Sequence, residues 1–223
     1  MTQDSKDSKL DTSNLWIWIA VGVAILVAIA GPVHRVFFSA PAPLAVIGPW
    51  SLTDQNGKDF GDASLKGKVW VADFMFTRCP SICADLTRQM VEMESDLAEF
   101  GSDIHLVSFS VDPDHDSPEV MREYMKKFNA KEDRWTFLTG NKKDIHHLLT
   151  EKMPFHVGER TPIKGAKSTN AENTQSELYD ISHMGKFAVF DRRGDLRHVV
   201  GTSKEEYPTL RAAVEKLIAE AAN

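Results

Sequence analysis

The stretch Val69–Phe76 (VWVADFMF) constrains the chain more than any other. It is an almost unbroken apolar run that follows the turn pair Gly67-Lys68. A run of this kind is expected as a central strand covered on both faces. Beyond it, Cys83, Leu86, Met90, Met93 and Leu97 recur at steps of three and four, which predicts an amphipathic helix ended by Gly101. Ile104–Val111 reads as a second buried strand. Strand, helix and strand with short links make a βαβ unit, whose crossover should be right-handed.

The remaining elements fill out an α/β fold. Trp50–Phe60 predicts a hairpin turning at Asp54-Gln55-Asn56-Gly57. Ser117–Phe128 predicts a helix with Ser117 as N-cap and Pro118 in its first turn. Trp135–Leu138 reads as a short strand and Lys142–Glu151 as a helix. From His156 to Leu178 glycine, proline, serine, threonine and asparagine are frequent and no period is visible, so a long surface insertion is expected at about 156–178. Phe187–Phe190 and Leu196–Val200 are strands joined by Asp191–Gly194, and Tyr207, Leu210, Val214 and Leu217 mark a last helix. The order predicts a mixed sheet flanked by helices over residues 50–223.

Ahead of this domain, Leu15–Val33 is almost wholly apolar and carries no ionisable group. At helical rise it covers roughly 28 Å, close to a bilayer core of about 30 Å. Trp16 and Trp18 stand at one end, and His34-Arg35 close the other. These features predict a single-pass membrane anchor at 15–38, a cytoplasmic tail at 1–14 and a proline-bearing linker at 39–49. A signal peptide cleaved near Ala28-Ile29-Ala30 is the other reading of the same run. The net charge of −6 with evenly mixed signs excludes a nucleic-acid surface, which needs clustered Lys and Arg. There is no phosphate-binding glycine loop, zinc-peptidase helix motif or serine-nucleophile elbow.

Chemistry concentrates on the two cysteines of the chain, Cys79 and Cys83. A bridge this short would close a tiny loop and add little stability, so the pair is suited to reactivity or metal binding rather than stapling. Cys79 follows the central strand, and Pro80 is expected to open the helix, where unpaired N–H groups favour a thiolate. Arg78 adds positive charge beside it. With three residues between them the sulfurs can join, and they can also flank one soft ion such as Cu(I) or Zn(II). Two thiolates leave such an ion under-coordinated, so a third ligand, for instance an imidazole, is expected.

Several stretches resemble the Sco/SenC copper chaperones of cytochrome c oxidase assembly. They are Leu52–Gly57, Gly67–Val69, Phe76-Thr77, Cys79-Pro80 with Cys83, Phe109–Asp114 running into Asp116–Glu119, Trp135–Gly140 and the late His183. The resemblance implies a thioredoxin-like fold and a copper site made of Cys79, Cys83 and His183, holding Cu(I), with Cu(II) as the other state. It further implies delivery to the copper-centre subunit of a respiratory oxidase, a thioredoxin-type reductant as second partner, and a domain on the periplasmic side of a bacterial inner membrane. Such a protein is a metallochaperone rather than an enzyme. The alternative is a thiol–disulfide oxidoreductase in which Cys79 attacks and Cys83 resolves. The chain departs from the family at Ser81 and Ser182, where aspartate is usual, and at Ala84, where proline is. Among other candidates, His156 is the rival ligand and Met184 a thioether neighbour. His105 reads as a core or edge residue and His146-His147 as facing apart on a helix. The cluster Asp112, Asp114, His115 and Asp116 reads as turn and cap.

Overall fold

The computed structural model describes residues 15–38, 41–80, 82–153, 155–169, 175–183 and 185–220. It divides into two units, Met1–Ala42 and Pro43–Asn223. In the first, helix α1 (Leu15–Phe38) exposes its side chains over residues 16–28, among them Trp16 at 77% and Trp18 at 71%. Among the described residues no helix is long and apolar enough to cross a membrane. The expected tail at 1–14 and the first two linker residues lie outside the described residues.

The second unit is built on a sheet of seven strands. In chain order these are β1 (Ser51–Asp54), β2 (Asp59–Gly61), β3 (Val69–Met75), β4 (Ile104–Ser110), β5 (Trp135–Thr139), β8 (Lys186–Phe190) and β9 (Leu196–Gly201). Between β5 and β8 run β6 (Val157–Thr169) and β7 (Gln175–His183), which form a separate ribbon. The helices are α2 (Asp62–Leu65), α3 (Cys83–Asp96), α4 (Pro118–Lys127), α5 (Lys142–His146) and α6 (Tyr207–Glu220). The sheet order is β2-β1-β5-β4-β3-β8-β9. Strands β3, β4 and β5 are parallel, while β8 runs antiparallel to β3 and β1 antiparallel to β5.

Each residue of β3 and β4 is buried, the polar Asp73, His105, Ser108 and Ser110 among them, as strands covered on both faces require. Trp70 on β3 lies flat against Phe190 on β8, with ring centroids 3.6 Å apart, and its side chain is 1% exposed. Replacing Trp70 with alanine is expected to cost about 3–5 kcal/mol, through lost burial and a cavity that the sheet cannot close. Urea unfolding followed by circular dichroism measures it.

The Asn-Gly turn forms as expected. The Asp54 carboxylate accepts from the backbone N–H of Asn56 and Lys58, both at 2.8 Å, and Gly57 takes a φ of 75° that suits glycine. Ser117 caps α4 by accepting from the Val120 N–H, and His105 is core, 6% exposed. Three elements differ from expectation. The helix expected over Lys142–Glu151 stops at His146 and continues as a π-helical turn, His147–Lys152. The insertion at 156–178 takes the form of the β6–β7 ribbon, whose register shifts between Val157 and Arg160 and again between Pro162 and Lys167. Those irregularities erase the two-residue alternation that would mark strands in the sequence. Finally, α3 begins at Cys83 rather than at Pro80; among the described residues, the earliest carbonyl its amides take is that of Ile82.

Candidate functional site

Topology brings one edge of the sheet to a focus. Strands β3 and β4 are parallel, so both finish at the same edge. Strand β8 is antiparallel to β3, with Ala188 opposite Ala72, so β8 starts where β3 ends. The cysteine segment leaves β3 there and the acidic segment leaves β4 there. His183, three residues ahead of β8, arrives at the same place. Crevices at the carboxyl ends of parallel strands are where α/β proteins place their chemistry.

The cysteine segment is a tight turn followed by a helix. The Cys79 N–H donates to the Phe76 carbonyl at 3.2 Å, and Cys83 is the first residue of α3. Asp116, fully buried, fixes the start of this turn. It accepts from the Thr77 N–H at 3.1 Å, the Thr77 hydroxyl at 2.5 Å and the Ser110 hydroxyl at 2.6 Å. Cys79 is partly exposed and Cys83 is buried. Ser81 lies outside the described residues, as does Met184.

His183 meets Cys83, with Nε2 at 3.5 Å from Sγ. The other ring nitrogen, Nδ1, lies 2.6 Å from the Ile181 carbonyl. A carbonyl only accepts, so Nδ1 carries the proton and Nε2 presents its lone pair to the thiol. This is the arrangement by which proteins orient imidazole toward a metal. Phe76 packs edge-on against the ring at 5.7 Å. A Cβ on Gly185 would lie 2.7 Å from Ile82 Cδ1, the tip of an exposed side chain that can move aside.

The Cys83 thiol is pushed far up. The hydrogen bond with Cys79 is the largest cause and burial the next, while a backbone hydrogen bond from Phe76 works the other way. Whatever ligates through Cys83 must therefore displace a proton. Below the site, Asp73 on β3 is fully buried and accepts from Ser108 at 2.5 Å, and burial raises its carboxyl to about 7.

The structure thus gathers Cys79, Cys83 and His183 at one edge. Among the described residues no group of three His, Cys, Asp or Glu side chains is already closed into a metal-holding set. The rival His156 is exposed. Ser182 is exposed and Ala84 half-buried, so neither departure disturbs packing at the thiols. The acidic cluster is indeed structural: Asp116 caps the cysteine turn, and Asp112 pairs with Arg160. Sequence reasoning missed Arg160 and Tyr179, both on the ribbon. The Asp112 carboxylate is bonded by both, and Tyr179 also receives Arg78. The signal for them was slight, an aromatic and a cation in a stretch otherwise rich in turn-forming residues.

A mixed sheet flanked by helices, with a dithiol at the carboxyl end of its central strand, defines a thioredoxin-like protein. The model of the SCO1/SenC family matches residues 39–219, and the chain belongs to that family. The SCO1 protein homolog of Bacillus subtilis is 38% identical over 139 residues, covering 62% of this chain and 69% of the relative. Bradyrhizobium japonicum ScoI, solved with copper bound, matches with a TM-score of 0.62 at 25% identity, over 78% of this chain and 99% of that one. BsSco is described as a member of the Sco family of cytochrome c oxidase assembly proteins with a disulfide switch. It matches with a TM-score of 0.62 at 26% identity, over 81% of this chain and 98% of its own.

Proposed function

We propose that this protein is a membrane-anchored copper chaperone that carries copper on Cys79, Cys83 and His183 and delivers it to the binuclear copper site of a respiratory cytochrome c oxidase. One observation carries the reading: the Nε2 lone pair of His183 faces the Cys83 sulfur at 3.5 Å, with Nδ1 committed to a carbonyl. Two soft thiolates with one imidazole suit Cu(I), and they make a donor set from which a thiol-rich recipient can take the ion. A disulfide offers no thiolate, so the pair must be reduced to load, and a thioredoxin-type reductant is the second partner. The copper-bound Bradyrhizobium relative and the family of BsSco support the cargo and the recipient. The exposed apolar side chains of residues 16–28 support attachment to a bacterial inner membrane, with the copper domain on its extracytoplasmic side.

The experiment is a Cu(I) titration of the reduced full chain, in detergent, against a chromophoric chelator. Wild type should take up one equivalent, and Cys79→Ser and Cys83→Ser should each bind about 100-fold more weakly or worse. Binding that either serine variant leaves unchanged would contradict the reading.

A second reading is favoured by the unequal exposure of the two cysteines, Cys79 partly exposed and Cys83 buried at the first residue of α3. As a thiol–disulfide oxidoreductase acting on the cysteines of the oxidase copper site, the partly exposed Cys79 would attack a substrate disulfide. Buried Cys83 would then displace it, leaving the substrate as a dithiol and the chain as a Cys79–Cys83 disulfide.

A further inference from the structure

His183 reaches the thiols on the β6–β7 ribbon, a sheet separate from the central one. Side chains around Tyr179 fasten that ribbon. Alternate residues of a strand share a face, so Tyr179, Ile181 and His183 point together, and Ile181 is 3% exposed. The Tyr179 ring stacks on Phe76 at 6.0 Å, and Phe76 in turn touches His183. Arg78, the residue before Cys79, donates from Nη2 to the Tyr179 hydroxyl at 2.8 Å, its guanidinium carbon 4.8 Å from the ring centroid. That hydroxyl donates onward to Asp112 in the segment after β4. Asp112 also accepts from Arg160 Nε at 2.9 Å, and the Arg160 guanidinium carbon lies 5.0 Å from the centroid of the same tyrosine ring. One tyrosine therefore joins the cysteine turn, the acidic segment and the histidine ribbon.

We propose that Arg78 and Tyr179 form a latch that presets the imidazole of His183 against Cys83, so that copper meets the imidazole already beside a thiol. Both are positioning residues, acting through His183, and the inference rests on the copper reading above. The observed affinity of a site falls with the fraction of molecules in the binding-competent arrangement. A hydrogen bond donated by a cation is strong enough to move such an equilibrium about tenfold. Tyr179→Phe removes the hydroxyl and keeps the ring on Phe76, so it tests the latch without emptying the packing.

The experiment compares the reduced full chain with Tyr179→Phe, Arg78→Gln, His183→Ala and the Tyr179→Phe/His183→Ala double variant by Cu(I) competition. Amide exchange is measured on the metal-free proteins. Tyr179→Phe and Arg78→Gln should each weaken binding about tenfold, and Tyr179→Phe should speed exchange across Val157–Pro162 and Tyr179–His183. With His183 already alanine, the phenylalanine change should have no further effect on affinity. Wild-type affinity in Tyr179→Phe, unchanged exchange, or the same tenfold loss with and without His183 would overturn the latch. If His183→Ala itself binds copper as tightly as wild type, the functional reading fails first and the latch with it.

Discussion

With His183 replaced by alanine, the full chain is expected to bind Cu(I) more than about 100-fold more weakly while still forming the Cys79–Cys83 disulfide. The two outcomes part because the groups are used differently. Copper needs the Nε2 lone pair that faces Cys83 at 3.5 Å, and outer-sphere changes alone cost metal sites about 10–100-fold. Disulfide formation needs only the two sulfurs, four residues apart on the segment that leads into α3. The copper arm is measured by chelator competition. The redox arm is measured by trapping thiols in graded redox buffers, where a shift of less than about 30 mV in the dithiol potential is expected. A variant that keeps its copper but loses its disulfide would make the oxidoreductase reading the better one.

The second large effect concerns pH. Burial lowers His105 from 6.5 to about 4, and burial raises Asp73 from 3.8 to about 7. For His105 the folded state prefers the neutral ring, so its contribution is complete above 6.5 and lost as pH falls toward 4. For Asp73 the folded state prefers the protonated carboxyl, so its contribution is complete below 3.8 and lost as pH rises through 7. Between 4 and 6.5 the two slopes oppose one another, and the wild-type stability curve should be nearly flat from these groups. Asp73→Asn should uncover a rise of roughly 3 kcal/mol from pH 4 to 6.5. His105→Gln should uncover a fall of roughly 4 kcal/mol from pH 3.8 to 7. Urea midpoints across that range decide it, and slopes of unchanged sign in both variants would contradict the assignment.

Much of the fold was legible because burial leaves periodic traces. The apolar runs of β3 and β4 and the Leu86-Met90-Met93-Leu97 stripe of α3 are all core. Ser117, Asn56-Gly57 and the strands either side of Asp191–Gly194 also behave as local chemistry dictates. The ribbon was not legible, because its strands are irregular in register and lie apart from the main sheet. The start of α3 differs from expectation: the turn from Phe76 closes at Cys79, and the helix begins only at Cys83. In the site, Cys79 and Cys83 stand out from spacing alone. His183 does not, since a hundred residues separate it from Cys83 and only the antiparallel entry of β8 returns the chain to the thiols. Arg78, Tyr179, Asp112 and Arg160 meet only in three dimensions, and no single segment announces them.

The most direct measurement is copper-edge X-ray absorption on the Cu(I)-loaded full chain and on its His183→Ala variant. One nitrogen beside two sulfurs in wild type, with the nitrogen gone in the variant, is the expected result. A sulfur-only shell in wild type, or a spectrum that the variant leaves unchanged, would contradict a site built from Cys79, Cys83 and His183.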